Sequence, residues 1–261
     1  MRNCLIMGFG RSGTSLMTGI LSEAGYFAGE NLYPARESNP KGFFENEVIN
    51  GINEKILKKY DYQRLHKEIP RFHQRFSPYA PGEGHRWLSY ISPDCRLTEC
   101  EADIREAIAK ALSVKGYAYK DPRFNYTLKF WEEAITDDTL MICMVRQPEI
   151  TVGSIIRECQ VAGYLSEFYI EAELAYQLWF NSYTHLLNNL SSISSDRILF
   201  VHYEQLLTGS VLPLLSRKLD VDLDSAFCDR QLNRSSAAGI RPDAVDRLYR
   251  TLCDFAAWPV T

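Results

Sequence analysis

Apolar residues gather in four short runs: CLIM at 4–7, YAYK at 117–120, TLMICMV at 139–145 and RILFVHY at 197–203. Each is too short for a helix and predicts a strand, most clearly the run at 139–145. The second run stops at Asp121-Pro122, where proline cannot extend a ladder and restricts the residue before it. Between the runs the spacing turns helical. A helix is expected from about Thr14 to a C-terminal glycine, Gly25, and another over 46–60 through Val48, Ile49, Ile52, Ile56 and Leu57. Further helices are expected at 101–113, at about 125–135, after 145 with Pro148 near the first position, and at 167–190. In the last, Ala175, Leu178, Trp179, Leu186 and Leu190 fall near one face. Strands alternating with helices imply crossover connections, hence α/β architecture with a central parallel sheet covered on both faces. Residues 26–46 are rich in Gly, Pro and Asn and read as loop. The stretch 61–99 carries Pro70, Pro78, Pro81 and Pro93 among aromatic and basic residues and is expected to be an irregular cap. The tail, 220–261, is expected to be mixed and to close over a ligand as a lid.

Composition narrows this picture. A chain of 261 residues with 46% hydrophobic content supports one sizeable core, read as a single domain over 1–261. A net charge of −4 gives no bulk attraction to nucleic acid or to anionic membranes. Seven cysteines without framework spacing point to a reducing compartment, and the expectation is a cytoplasmic protein. No apolar run approaches bilayer-spanning length, and no targeting segment is expected. The sequence gives no indication of oligomeric state.

Candidate chemistry starts at LIMGFGRSGTSLM, residues 5–17: a strand, a glycine-containing loop, and the start of a helix. Gly8, Gly13 and Ser15 match the spacing of a nucleotide-hydrolase phosphate loop, but Thr14 stands where that loop has lysine. Unsatisfied N–H groups at a helix N-terminus suit an oxyanion. Ser12, Thr14 and Ser15 add hydroxyls, and Arg11 adds a planar, permanently charged fork. A tight turn with a solvated arginine is the alternative for this loop taken by itself. Arg146 follows the 139–145 strand, where ligands of parallel sheets lie, and Ser154 is eight positions further on (154 − 146 = 8).

These segments resemble those of the sulfotransferase family. GRSGTSLM is similar to its 5′-phosphosulfate loop, especially in the branch that includes protein-tyrosine sulfotransferases and bacterial relatives. YKDPRF resembles that branch's KDP segment, MVRQPEITVGSII its 3′-phosphate segment, and VHYEQLL a later strand-to-helix segment; in order, the four span residues 5–207. The resemblance implies a P-loop-like three-layer fold and 3′-phosphoadenosine-5′-phosphosulfate (PAPS) as co-substrate, with no metal. The sulfuryl group would go to a hydroxyl or amine of a small-molecule, glycan, lipid or peptide acceptor. It places Arg11, Ser12, Gly13, Thr14 and Ser15 on the 5′-phosphosulfate, Arg146 and Ser154 on the 3′-phosphate, and Tyr203 near adenine. Arg11 and Lys120 would be the cations of the transfer. NPKGFFEN resembles the segment that carries a catalytic glutamate in this branch, so Glu45 is the candidate base, with Asp121 second. His66, His73 and His85 are read as surface or structural. The histidine segment of cytosolic members has no counterpart here. Their C-terminal Arg-Lys-Gly loop is matched only by NRSSAAGIRP, in which Arg234 and Arg241 stay unassigned. A P-loop kinase or nucleotide hydrolase with an altered lysine is the alternative enzyme, and a nucleotide-binding module without transfer is a third possibility.

Overall fold

The computed structural model describes residues 1–36, 39–61, 83–165, 170–228 and 236–260. All four expected strands form: β1 (Cys4–Met7), β2 (Ala118–Lys120), β3 (Leu140–Val145) and β4 (Ile198–His202). They lie parallel in the order β2-β1-β3-β4. β1 to β3 are fully buried, as expected of a sheet covered on both faces. Successive residues point to opposite layers. Leu5 and Met7 join one core and Cys4 and Ile6 the other.

Nine helices stand among the described residues. α1 (Thr14–Glu23), α7 (Tyr203–Thr208) and α8 (Leu212–Leu219) cover one face with Met17, Ile20, Leu206 and Leu215. The other face carries α2 (Glu47–Asp61), α3 (Ala102–Ala111), α4 (Phe124–Glu132), α5 (Pro148–Val161), α6 (Ala172–Leu190) and α9 (Asp243–Phe255). The result is the three-layer α/β fold. No described helix is long and apolar enough to cross a membrane.

Two expectations need correction. Val48 does not belong to the inward stripe of α2; it is 54% exposed, while Ile49, Ile52, Ile56 and Leu57 are buried. α6 begins at Ala172 and not at 167, because Ile170 and Glu171 run outside the helix, Glu171 as its extended N-cap. The tail holds a regular helix, α9, which buries Val245, Tyr249, Leu252 and Cys253. The expected cap is described only outside 62–82. Its described part returns to the core through Trp87, Leu88 and Ile91.

β1 has β2 on one side and β3 on the other, so the chain reverses its direction of winding between β1 and β3. That is where an open parallel sheet leaves a crevice at the strands' carboxyl ends. The phosphate-type loop follows β1, Lys120 ends β2, Arg146 follows β3 and Tyr203 follows β4. All four therefore rise from one edge of the sheet.

Candidate functional site

A cavity of about 340 Å³ opens at this edge. Arg11, Gly13, Thr14, Ser15, Glu45, Lys120, Arg146 and Tyr203 all line it. Gly13 is the N-cap of α1 with φ 98°, and no side chain caps the helix. The first-turn N–H groups are thus presented to the cavity by backbone geometry that favours glycine. A Cβ on Gly13 would stand 2.5 Å from Tyr203 Cδ2, so the aromatic ring packs directly on the loop. Gly8 N–H donates to Asn125 Oδ1 at 2.9 Å, which ties the start of the loop to α4.

Ser12 departs from its expected place. It is buried, its N–H donates to Phe9 O at 3.1 Å, and it is not among the cavity-lining residues. Ser15 Oγ donates to Phe43 O at 3.1 Å, fixing the 39–46 segment over α1.

The two arginines meet. Arg146 Nη1 donates to Arg11 O at 3.0 Å, and Arg11 Nε donates to Ser154 Oγ at 3.0 Å. Arg11 reaches this position from a left-handed backbone, φ 69°. The Arg146 guanidinium carbon sits 4.4 Å from the Tyr203 ring centroid. Burial, reinforced by the Arg11 charge, lowers the Arg146 pKa from the ordinary arginine value.

On the other side of the cavity Lys120 Nζ donates to Glu45 Oε1, and Asn50 Nδ2 donates to Glu45 Oε2 at 2.8 Å. Burial would raise the Glu45 pKa; the charges of Lys120 and Arg123 and the two hydrogen bonds outweigh it and hold the carboxyl below its usual range. Burial draws the Lys120 pKa down despite its partner. Glu45 is thus ionised and able to accept a proton.

Asp121, the second candidate base, stands in a buried ion-pair network instead. It is fully buried and outside the cavity lining, accepting from Asn53 Nδ2 at 2.9 Å and from Arg123 N and Nη1 at 2.8 and 2.9 Å. Arg123 also donates to Glu54 Oε1 at 2.6 Å and to Gly84 O at 2.7 Å. Glu54 in turn accepts from Arg86 Nη1 at 2.6 Å. This buried network fastens the returning 84–88 segment to α2 and to the end of β2. It places His85 and Trp87 in the cavity wall, and a Cβ on Gly10 would stand 2.4 Å from the Trp87 ring. His66, His73 and Arg234 lie outside the described residues. Arg241 pairs with Glu149 and Asp246 at 2.6 and 2.7 Å and does not line the cavity.

Asn50, Glu54, Arg86, Trp87, Arg123 and Phe227 were not singled out by sequence. Asn50 and Glu54 could have been found by asking why polar residues share a helix with the buried stripe of α2. Phe227, which lines the cavity with its ring 5.8 Å from that of Phe44, carried no local signal.

The sulfotransferase domain from the curacin biosynthetic pathway aligns over 100% of this chain and 99% of its own, with 15% identity and a TM-score of 0.54. The sulfotransferase domain of the Synechococcus PCC 7002 olefin synthase aligns over 99% and 95%, with 16% identity and a TM-score of 0.48. A Mycobacterium avium sulfotransferase aligns over 97% and 68%, with 14% identity and a TM-score of 0.48. At 15% identity the likeness to the curacin-pathway domain concerns the fold alone. No curated protein sequence gives a significant match. The family model described as "Sulfotransferase family" matches residues 4–211, most of the sequence, and the chain belongs to that family.

Proposed function

We propose that the protein moves a sulfuryl group from PAPS to a hydroxyl, or an amine, of a small-molecule, glycan, lipid or peptide acceptor, by in-line displacement with Glu45 as general base. One observation carries this reading: Arg11, Arg146 and the α1 N-terminus share a cavity with the Glu45–Lys120 pair. The first group suits a doubly phosphorylated nucleotide, and the second suits proton removal beside a cation. The donor set fits PAPS because the anchoring groups are cations, hydroxyls and an uncapped helix end.

PAPS would bring the activated sulfuryl group. The N–H groups of the α1 first turn, with Thr14 and Ser15, hold its 5′ end. Arg146 holds the 3′-phosphate; Ser154, which is buried and not among the cavity-lining residues, acts through the Arg11 side chain that donates to its Oγ, and Tyr203 lies on the adenine side. Glu45 accepts the acceptor's proton as its oxygen or nitrogen bonds to sulfur. The bond from sulfur to the 5′-phosphate oxygen breaks, and that oxygen leaves with the electron pair. Lys120, beside Glu45, faces the charge developing on the sulfuryl oxygens. Arg11, whose Nε donates to Ser154, serves the 3′-phosphate side and not the sulfuryl group. Positioning and electrostatics supply most of the rate, as in phosphoryl transfer. The reading includes a cytoplasmic location, which rests on cysteine usage.

Calorimetry should show adenosine 3′,5′-bisphosphate binding clearly more tightly than AMP, with the preference reduced in R146A. Equal affinities would remove PAPS as donor, and magnesium-dependent ATP turnover would favour a nucleotide kinase or hydrolase. Mass spectrometry of host metabolites and glycans with and without the protein should reveal an acceptor gaining a sulfuryl group.

A further inference from the structure

We infer that Glu158, on α5, is a positioning residue that holds Arg11 across Ser154 and so gives the 3′-phosphate pocket a second guanidinium. The inference rests on the PAPS reading and assigns a new role within that site.

Glu158 and Ser154 are four residues apart on α5 and share one helical face. Glu158 Oε2 lies 4.0 Å from Arg11 Nη1, and its side chain is only 3% exposed. Arg11 Nε bonds Ser154 Oγ at 3.0 Å, and Arg11 O accepts from Arg146. Arg11 is therefore fixed at both ends, its carbonyl by the residue after β3 and its side chain by α5. A buried carboxylate beside an anion pocket opposes anion binding by simple Coulomb repulsion. Its presence is accounted for if it orients a cation more effectively than it repels the ligand. Two guanidiniums converge here, and Glu158 supplies the opposite charge that lets Arg11 remain near Arg146. With Arg11 held against Ser154, a phosphate that accepts from Arg146 is met by a second planar fork. A nucleotide lacking the 3′-phosphate gains nothing from that arrangement.

The test is calorimetry with adenosine 3′,5′-bisphosphate and AMP on wild type, E158Q, E158D, R11Q and the E158Q/R11Q double variant, with circular dichroism and thermal melts to verify folding. E158Q should weaken bisphosphate binding about tenfold while AMP changes less than about twofold, the size of one charge-assisted hydrogen bond. E158D should recover part of the preference. R11Q should lose the preference as well, and the double variant should be no worse than R11Q. A bisphosphate preference in E158Q that is unchanged, or larger than in wild type, would overturn the inference. If E158Q does not fold, full preference in R11Q would overturn it equally. A wild type that binds both nucleotides alike instead removes the PAPS reading itself.

Discussion

At the scale of single residues, the Glu45–Lys120 pair makes the sharpest demands. E45Q should reduce turnover by about 10²-fold or more, the usual cost of losing a general base, while bisphosphate binding stays nearly unchanged. Turnover equal to wild type would remove Glu45 as the base. Because its pKa is held down chiefly by Lys120 and Arg123 against the effect of burial, Glu45 keeps its base form below the usual carboxylate range. The acid limb of the kcat/KM profile should lie there and should move to higher pH in K120M. Gly13 offers a second residue-scale test. G13A places a methyl where Tyr203 Cδ2 would be 2.5 Å away, on a backbone with φ 98°. Bisphosphate affinity and melting temperature should both fall, and retention of both would show that the ring moves aside freely. The motifs of the loop and of Arg146 were readable because glycine spacing and strand-end position are local properties. The inward turn of Ser12 was not, since the hydroxyls of Ser12, Thr14 and Ser15 look alike until the loop is folded.

At the scale of elements, the strands and most helices were legible from period alone, with ends shifted by a few residues where caps decide them. In the tail, read only as mixed, α9 shows a clear buried face. Its partner is a polar group on another element. His202 Nε2 and Tyr249 Oη are 3.0 Å apart, His202 Nδ1 accepts from Glu204 N, and the imidazole stacks on Trp258 at 4.8 Å. Burial, aided by the Arg146 charge, lowers the His202 pKa to about 4. The unfolded chain therefore binds a proton near pH 6.5 that the native protein takes up only near pH 4. Stability from this group is complete above about pH 6.5 and declines as pH falls toward 4, by up to about 3 kcal/mol. Melting temperature should drop across that window, and H202Q should flatten the slope while lowering stability at pH 7. An unchanged slope in H202Q would assign the effect elsewhere.

At the scale of the whole molecule, the carboxyl edge of the sheet was foreseeable as the place of a cavity, because ligands of parallel sheets lie outside the carboxyl ends of the strands. What joins the layers around it was not foreseeable. The Arg123 network links Glu54 of α2, Asp121 after β2 and the Gly84–Arg86 return, residues separated by tens of positions with no shared pattern. Burial would raise the Glu54 pKa, but the Arg123 charge and the hydrogen bonds from Arg86, Gly84 and Arg123 leave it lowered. R123M leaves buried Asp121 without a cation and Glu54 with Arg86 alone, and should cost about 3–5 kcal/mol of unfolding free energy. Denaturant melts that match wild type would show the network to be dispensable.

Trp87 lies against Gly10, and of the four tryptophans it alone lines the cavity. Trp131 and Trp179 are sealed in the interior. The protein therefore carries a native optical reporter at its phosphate loop. Its emission should change in intensity or colour as adenosine 3′,5′-bisphosphate is titrated, and the signal should vanish in W87F, allowing occupancy to be followed without label or acceptor.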